Sequence, residues 1–466
     1  MNLSQTRLAQ LIQKLEEGEK QAFDAYLASP YFQVGRRSIQ FWQLIKKDAS
    51  WLGKGEELLF QSLFPGKAFH AQRLYEALHD LYGHLQQFLA IQTWQASPFE
   101  WEKAFLKKLE IKHPEKLFSQ HYKAFLQRLQ HQNRRDAAYF QQRYEFARLA
   151  NEHYGLQQMR VPDKHLQEKA TFLDIFYLAT RLRDCCELLN RAHIFNAEFD
   201  PEEIARTWAF HDLQPEEIRT EPLIQVYRLV LEMLEEKRPE AFAELVEALN
   251  AHRDIFSKEE ARALYKYAQN HCIRRINRGE SIFNQALFRL YKSQLDNGML
   301  YVSGLLSHTD YKNVVSNGLK LGEYTWVEAF MESQKEKLSP TFRDNVYDYC
   351  RAHLHFELGE WKAGIRRLQQ IEFTDLHYQI GARYIIVRSY YELEDWDALS
   401  YQLPAFISFL KRNKGIPPQS RSYHLNFIRL LKQLARLKDK QYVWKTEVFQ
   451  RQWQKLSDLT KELSHA

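Results

Sequence analysis

One four-residue phrase recurs three times near the C-terminal end of the chain, and it limits the possible folds more than any other feature. It reads Leu321-Gly322-Glu323-Tyr324, then Leu358-Gly359-Glu360-Trp361, then Leu393-Glu394-Asp395-Trp396. The copies lie 37 and 35 residues apart. A fixed period in this range marks stacked helical hairpins, each too small to bury its apolar face alone. The scarcity of turn residues agrees. There are 16 Gly and 13 Pro in 466 residues, against average usage of about 7% and 5%. Long helices joined by short turns need few of them, whereas sheet- and loop-rich folds need more.

The phrase resembles the turn of a tetratricopeptide repeat (TPR), where a first helix ends at Gly and an aromatic two residues later opens the second. Gly322/Tyr324 and Gly359/Trp361 match at both points, and Glu394/Trp396 keeps the aromatic alone. Glycine suits such a turn because the residue past a helix end often takes φ > 0. The family also places a small residue seven before the Gly, where this chain has Val315, Ala352 and Val387. It places Ala three after the aromatic, where this chain has Val327, Gly364 and Leu399. Only the middle unit is small at both, so the outer units are expected to pack at wider or altered angles.

The resemblance runs from His308 to Arg412. It implies an all-α chain, an α-solenoid of antiparallel helical hairpins that is TPR-like in its C-terminal third. In that family the first helix of each repeat lines a concave groove. Carried over, the lining residues are Lys312 and Ser316, Tyr349 and His353, Tyr384 and Arg388. This basic and aromatic set implies a protein or peptide partner of acidic character, with Lys and Arg pairing its carboxylates. The family's carboxylate clamp uses asparagines in this neighbourhood, and Ser316, His353 and Arg388 depart from it. The plainer alternative is that these residues meet solvent or neighbouring helices, since a fold of this kind does not itself specify a partner.

Upstream, Leu8, Leu11, Ile12 and Leu15 recur at helical spacing, and Gly18 is the expected turn. Phe23, Tyr26 and Leu27 belong to a second short helix that Pro30 ends. The block Tyr26-Leu27-Ala28-Ser29-Pro30-Tyr31-Phe32 resembles the start of uncharacterised helical proteins common in Bacteroidota, a likeness that implies a bacterial origin and carries no function. Leu74, Leu78, Leu81, Leu85 and Phe88 form one stripe of a longer helix. Further helices are expected near 98–112, 115–131, 136–157, 165–193, 220–236, 239–252, 258–277 and 282–296. Asp200-Pro201-Glu202-Glu203 has the grammar of a helix start, and Gln214-Pro215-Glu216-Glu217 repeats it. Val161-Pro162-Asp163 and Asp296-Asn297-Gly298 are the expected joints. They divide the chain into an N-terminal helical region (1–160), a middle region of hairpins (161–300) and the repeat block with its capping helices (301–466).

Charge is uneven along this plan. Residues 103–148 hold 11 Lys/Arg against 4 Asp/Glu, residues 196–262 hold 8 against 17, and residues 401–466 hold 13 against 4. A helix near 418–437 carries Arg429, Lys432 and Arg436 on one face, extended by Lys440, and Phe427, Leu430, Leu431, Leu434 and Leu437 on the opposite one. A terminal solenoid helix needs a polar outer face, which accounts for the stripe as a cap. The alternative is nucleic-acid or acidic-partner binding through the basic N- and C-terminal helices. Trp444 and Trp453, in a last helix near 442–464, are expected to anchor packing.

Catalytic and cofactor motifs are missing: no H-E-x-x-H, phosphate-binding loop, dinucleotide fingerprint or nucleophile elbow occurs. Glu76-Ala77-Leu78-His79 is a single E-x-x-H, and a di-iron bundle needs two with two more Glu. His353 and His355 diverge by about 200° on a helix, so they cannot share a metal. Cys185, Cys186, Cys272 and Cys350 form no C-x-x-C pair, and the first two read as buried thiols. No secretory signal and no membrane-spanning run is apparent. The sequence thus leads to the expectation of a cytoplasmic, non-enzymatic scaffold or adaptor without cofactor or metal.

Overall fold

The structure is a computed structural model that describes residues 3–112, 115–156, 163–195, 198–371 and 375–438, with residues 451, 454 and 455. Among these residues the chain is helical almost throughout, with 22 α-helices. It divides into two compact units, Met1–His131 with Gln142–Lys169, and Gln132–Gln141 with Ala170–Ala466. No helix among the described residues is long and apolar enough to cross a membrane.

The first unit holds α1 (Arg7–Ile12), α2 (Glu17–Ala28), α3 (Arg36–Lys47), α4 (Glu56–Leu63), α5 (Ala71–Ala96), α6 (Pro98–Lys112), α7 (Glu115–His131) and most of α8 (Ala137–Leu156). The expected stripe of α5, Leu74, Leu78, Leu81, Leu85 and Phe88, is buried against Phe23, Phe41, Trp42 and Phe60. A second cluster stacks Phe125 on Phe146 with ring centres 3.5 Å apart. Gly18 is not the turn. It lies inside the first turn of α2, because the Glu16 backbone N–H donates to the Glu19 carboxylate at 2.9 Å and starts the helix earlier. A donor at a helix N-terminus satisfied this way fixes the boundary more strongly than a glycine two residues on.

The second unit holds most of α9 (Lys164–Phe195), then α10 (Pro201–Asp212), α11 (Glu216–Arg219), α12 (Pro222–Leu234), α13 (Ala241–Ala251), α14 (Lys258–Asn277) and α15 (Ile282–Asp296). After them come α16 (His308–Lys320), α17 (Tyr324–Gln334), α18 (Arg343–Glu357), α19 (Trp361–Gln369), α20 (Leu376–Glu392), α21 (Trp396–Arg412) and α22 (Pro418–Lys438). Asp200 caps α10 by accepting from the Glu202 N–H at 2.9 Å, whereas at α11 the cap position is Pro215, whose side chain has no acceptor to offer. A short antiparallel ribbon, Tyr301–Val302 with Leu305–Leu306, precedes α16. The helical reading of the sequence did not include it.

All three copies of the phrase adopt one backbone. Residues 322, 359 and 394 take φ of 75°, 79° and 56°. In each, the next N–H reaches back five residues: Glu323 to Gly318, Glu360 to His355 and Asp395 to Tyr390, at 3.0, 2.8 and 3.0 Å. The N–H of residue 322, 359 or 394 reaches back three, to Leu319, Phe356 or Tyr391. This paired closure satisfies carbonyls that a helix end otherwise leaves open. The following helices begin at Tyr324, Trp361 and Trp396.

Candidate functional site

Three helices that each open a pair, α16, α18 and α20, turn stripes of side chains into one cavity of about 740 Å³. Residues four apart share a helix face. Lys312, Ser316 and Lys320 do so on α16, and Tyr349, His353 and Glu357 on α18; α20 contributes Gly381, Tyr384, Ile385 and Arg388. All six groove residues named from the sequence therefore line the same space. The turn after α14 adds Gly279 and Ser281, and the approach to α22 adds Gly415, Ile416 and Pro417, with Ser420 and His424 on the helix itself. The volume lies within the range of ordinary ligand cavities, about 300–1,000 Å³.

The lining falls into three levels. At the first, the Lys312 ammonium lies 5.6 Å from the centre of the Tyr378 ring. Tyr378 meets Tyr349 edge-on at 5.0 Å, and the Tyr349 hydroxyl abuts Gly381. At the second lie Ser316, His353 and Tyr384. The Tyr384 hydroxyl hydrogen-bonds to His424 Nδ1 at 2.8 Å, and Ser420 Oγ lies 3.2 Å from the other ring nitrogen. At the third, His353 Nε2 lies 3.6 Å from the Glu357 carboxylate, and Arg388 sits over the Phe356 ring at 4.4 Å. Both tyrosines named from the sequence are thus committed to the walls, Tyr384 also packing on Phe406 and Phe427.

The electrostatics favour an anion. Burial lowers the Lys312 ammonium, opposed by Cys350 and Asp375. Burial likewise lowers the Arg388 guanidinium, opposed by Glu357 and Glu392. Among the described residues neither has a carboxylate within ion-pair distance. Lys320 is open to solvent along part of its surface, yet desolvation by the protein around it lowers its ammonium to about 8 against the pull of Glu357. For Glu357 itself burial pushes upward, but the His353 hydrogen bond and the His353, Arg388 and Lys320 charges outweigh it and hold the carboxyl low. Burial, with His377 beside it, lowers His424 to about 4, so that ring is neutral near pH 7.

Lys320, Glu357, His377, Ser420 and His424 were not named from the sequence. Lys320 and Glu357 continue the four-residue stripes and were readable there. Ser420 and His424 follow the last phrase, and nothing in the sequence tied α22 to the cavity.

The other candidates lie elsewhere. Arg429, Lys432 and Arg436 are exposed on α22, with Phe427, Leu430, Leu431, Leu434 and Leu437 buried behind them. Lys440, Trp444 and Trp453 fall outside the described residues, as does the helix expected near 442–464 apart from residues 451, 454 and 455. Glu76 and His79 are exposed on α5. His355 Nδ1 contacts Glu360 at 2.5 Å, away from the Glu357 partner of His353. Among the described residues no cluster of His, Cys, Asp and Glu is arranged to hold a metal ion. Cys185 and Cys186 are buried, burial raising both thiols, and Cys185 Sγ lies 3.3 Å from Thr207 Oγ1. No protein-family model matches the chain, and no curated protein and no solved structure does either.

Proposed function

We propose that this protein is a non-enzymatic protein-binding scaffold. In this reading its C-terminal third is a TPR-like solenoid, and the cavity between α16, α18, α20 and α22 receives an acidic segment of the partner. The observation that carries the reading is the pair of desolvated cations, Lys312 and Arg388, which line one cavity without a carboxylate of their own. A buried charge left unpaired is costly, and an acidic ligand relieves that cost on binding. The four free, buried thiols suit a reducing, cytoplasmic setting.

The test is fluorescence anisotropy with the full chain and labelled acidic, neutral and basic peptides of equal length. Micromolar binding confined to acidic peptides, and lost in Lys312→Glu/Arg388→Glu with the helical circular dichroism intact, is the expected result. Equal binding of neutral peptides, or undiminished binding by the double variant, contradicts it.

A second reading has one specific support, the exposed Arg429, Lys432 and Arg436 face of α22. There the partner is a nucleic acid or another acidic surface, and affinity should fall steeply with salt.

A further inference from the structure

The cavity's positive charge is divided between two levels. Lys312 stands at the first, beside Tyr349 and Tyr378. Lys320 and Arg388 stand at the third, where the Glu357 carboxylate feels both. Asp375 acts on Lys312, and Glu357 and Glu392 act on Arg388, only from beyond ion-pair distance, so each level presents one cation without an ion pair among the described residues. Lys312 and Lys320 are eight residues apart on one helix, which sets the levels about 12 Å apart. Between them the wall is uncharged around Tyr384, Ile380 and Ile385.

A single compact anion cannot neutralise both levels. A ligand with two separated anionic groups can. Resting on the acidic-peptide reading above, we propose that the cavity recognises a spacing: an extended segment with acidic side chains at positions i and i+4 and an apolar side chain at i+2. In extended chain, four residues span about 13 Å and side chains at i, i+2 and i+4 point to the same side. One carboxylate then pairs with Lys312, the other with Arg388, and the apolar residue between them faces Ile380 and Ile385.

The test holds composition constant and moves the charges. Peptides with two Glu at separations of one, two, four and six, and one central Leu, are titrated into the full unmodified chain. Binding at least tenfold tighter for separation four is expected. Lys312→Met and Arg388→Met should then each abolish sensitivity to Glu→Gln at one end of the peptide, and at opposite ends. Affinities within twofold across all separations overturn the spacing rule and leave the acidic-peptide reading standing. So does the same end going silent in both variants. Failure of every acidic peptide to bind overturns both.

Discussion

The Tyr349 hydroxyl occupies the space that a β-carbon on Gly381 would fill. The ring is 7% exposed and held edge-on by Tyr378, so it has little room to retreat. Gly381→Ala should therefore destabilise the fold by about 1–3 kcal/mol, the usual cost of overpacking, although alanine is the better helix former by about 1 kcal/mol. Tyr349→Phe removes the offending oxygen, and denaturant unfolding of the double variant should recover part of the loss. If Gly381→Ala alone raises stability, the close approach is not a real constraint.

Glu394 holds φ of 56° where the two earlier phrases have glycine. The left-handed region costs a residue with a β-carbon about 1–2 kcal/mol. The Lys438 ion pair of Glu394, 3.1 Å long and largely solvated, returns less than about 1 kcal/mol. Within a helix, alanine is favoured over glycine; here the order should invert. Thermal unfolding should find Glu394→Gly about 1 kcal/mol more stable than Glu394→Ala, and Gly359→Ala about 1 kcal/mol below the unmodified chain.

These turns show where the sequence is legible. A positive-φ helix end followed by an opening aromatic needs few residues and leaves a phrase that can be counted. The cavity stripes were readable for the same reason, through four-residue spacing on helices the phrase had already placed. Close approach was less legible. In the middle pair, Gly364 stands within 3.0 Å of the Ala352 carbonyl as measured from an added β-carbon, and α18 and α19 make the most intimate of the three pairs. In the first pair, where Val315 and Val327 hold the two positions, the residue at close approach is Gly318, with Val327 and Phe288 against it. A small residue can move one turn along a helix and still relieve the crossing, so a fixed position in a motif does not capture it. The closure of the cavity by α22 was not legible, because contacts such as Tyr384–His424 depend on long-range packing that leaves no local pattern.

Acid should weaken the fold well above the carboxylate range. His271 lies between Phe242 and Phe283 with its Nδ1 unpartnered, and burial together with Arg274 and Arg275 lowers it to about 4. His424 is lowered to about 4 by burial and His377. Unfolded histidine titrates near 6.5, so the unfolded chain binds more protons between these values. The contribution of each neutral ring to stability is complete above about pH 6.5 and is lost as pH falls toward 4, about 2–3 kcal/mol each. Denaturant unfolding at pH 7.5, 6 and 5 should show the decline. His271→Phe, which suits the aromatic sandwich, should flatten it; an unchanged slope would count against His271 as a source.

Gln269 and Gln294 hydrogen-bond to each other across α14 and α15, and both are buried. Truncating one leaves the other amide without its partner in an apolar setting. Gln269→Ala should cost about 1–3 kcal/mol. The double change Gln269→Met/Gln294→Met removes both polar groups at similar volume and should restore most of the loss, as read by thermal unfolding. Additive losses in the double variant would show that the pair is not an isolated unit.

Arg429, Lys432 and Arg436 project from α22 while its other face fills a core with Phe406, Phe427 and Leu431. Charge reversal on the exposed face should therefore leave stability within about 0.5 kcal/mol. It isolates the surface role of the stripe from its structural one. If the stripe meets phosphates, the triple change to Glu should abolish binding of short nucleic acids, and the unmodified chain should lose affinity steeply between 50 and 200 mM salt, with about three phosphate contacts setting the slope. If the stripe is only a polar outer face, nucleic-acid binding will be weak at both salt levels and the triple variant will retain acidic-peptide binding in the cavity, since none of the three residues lines it.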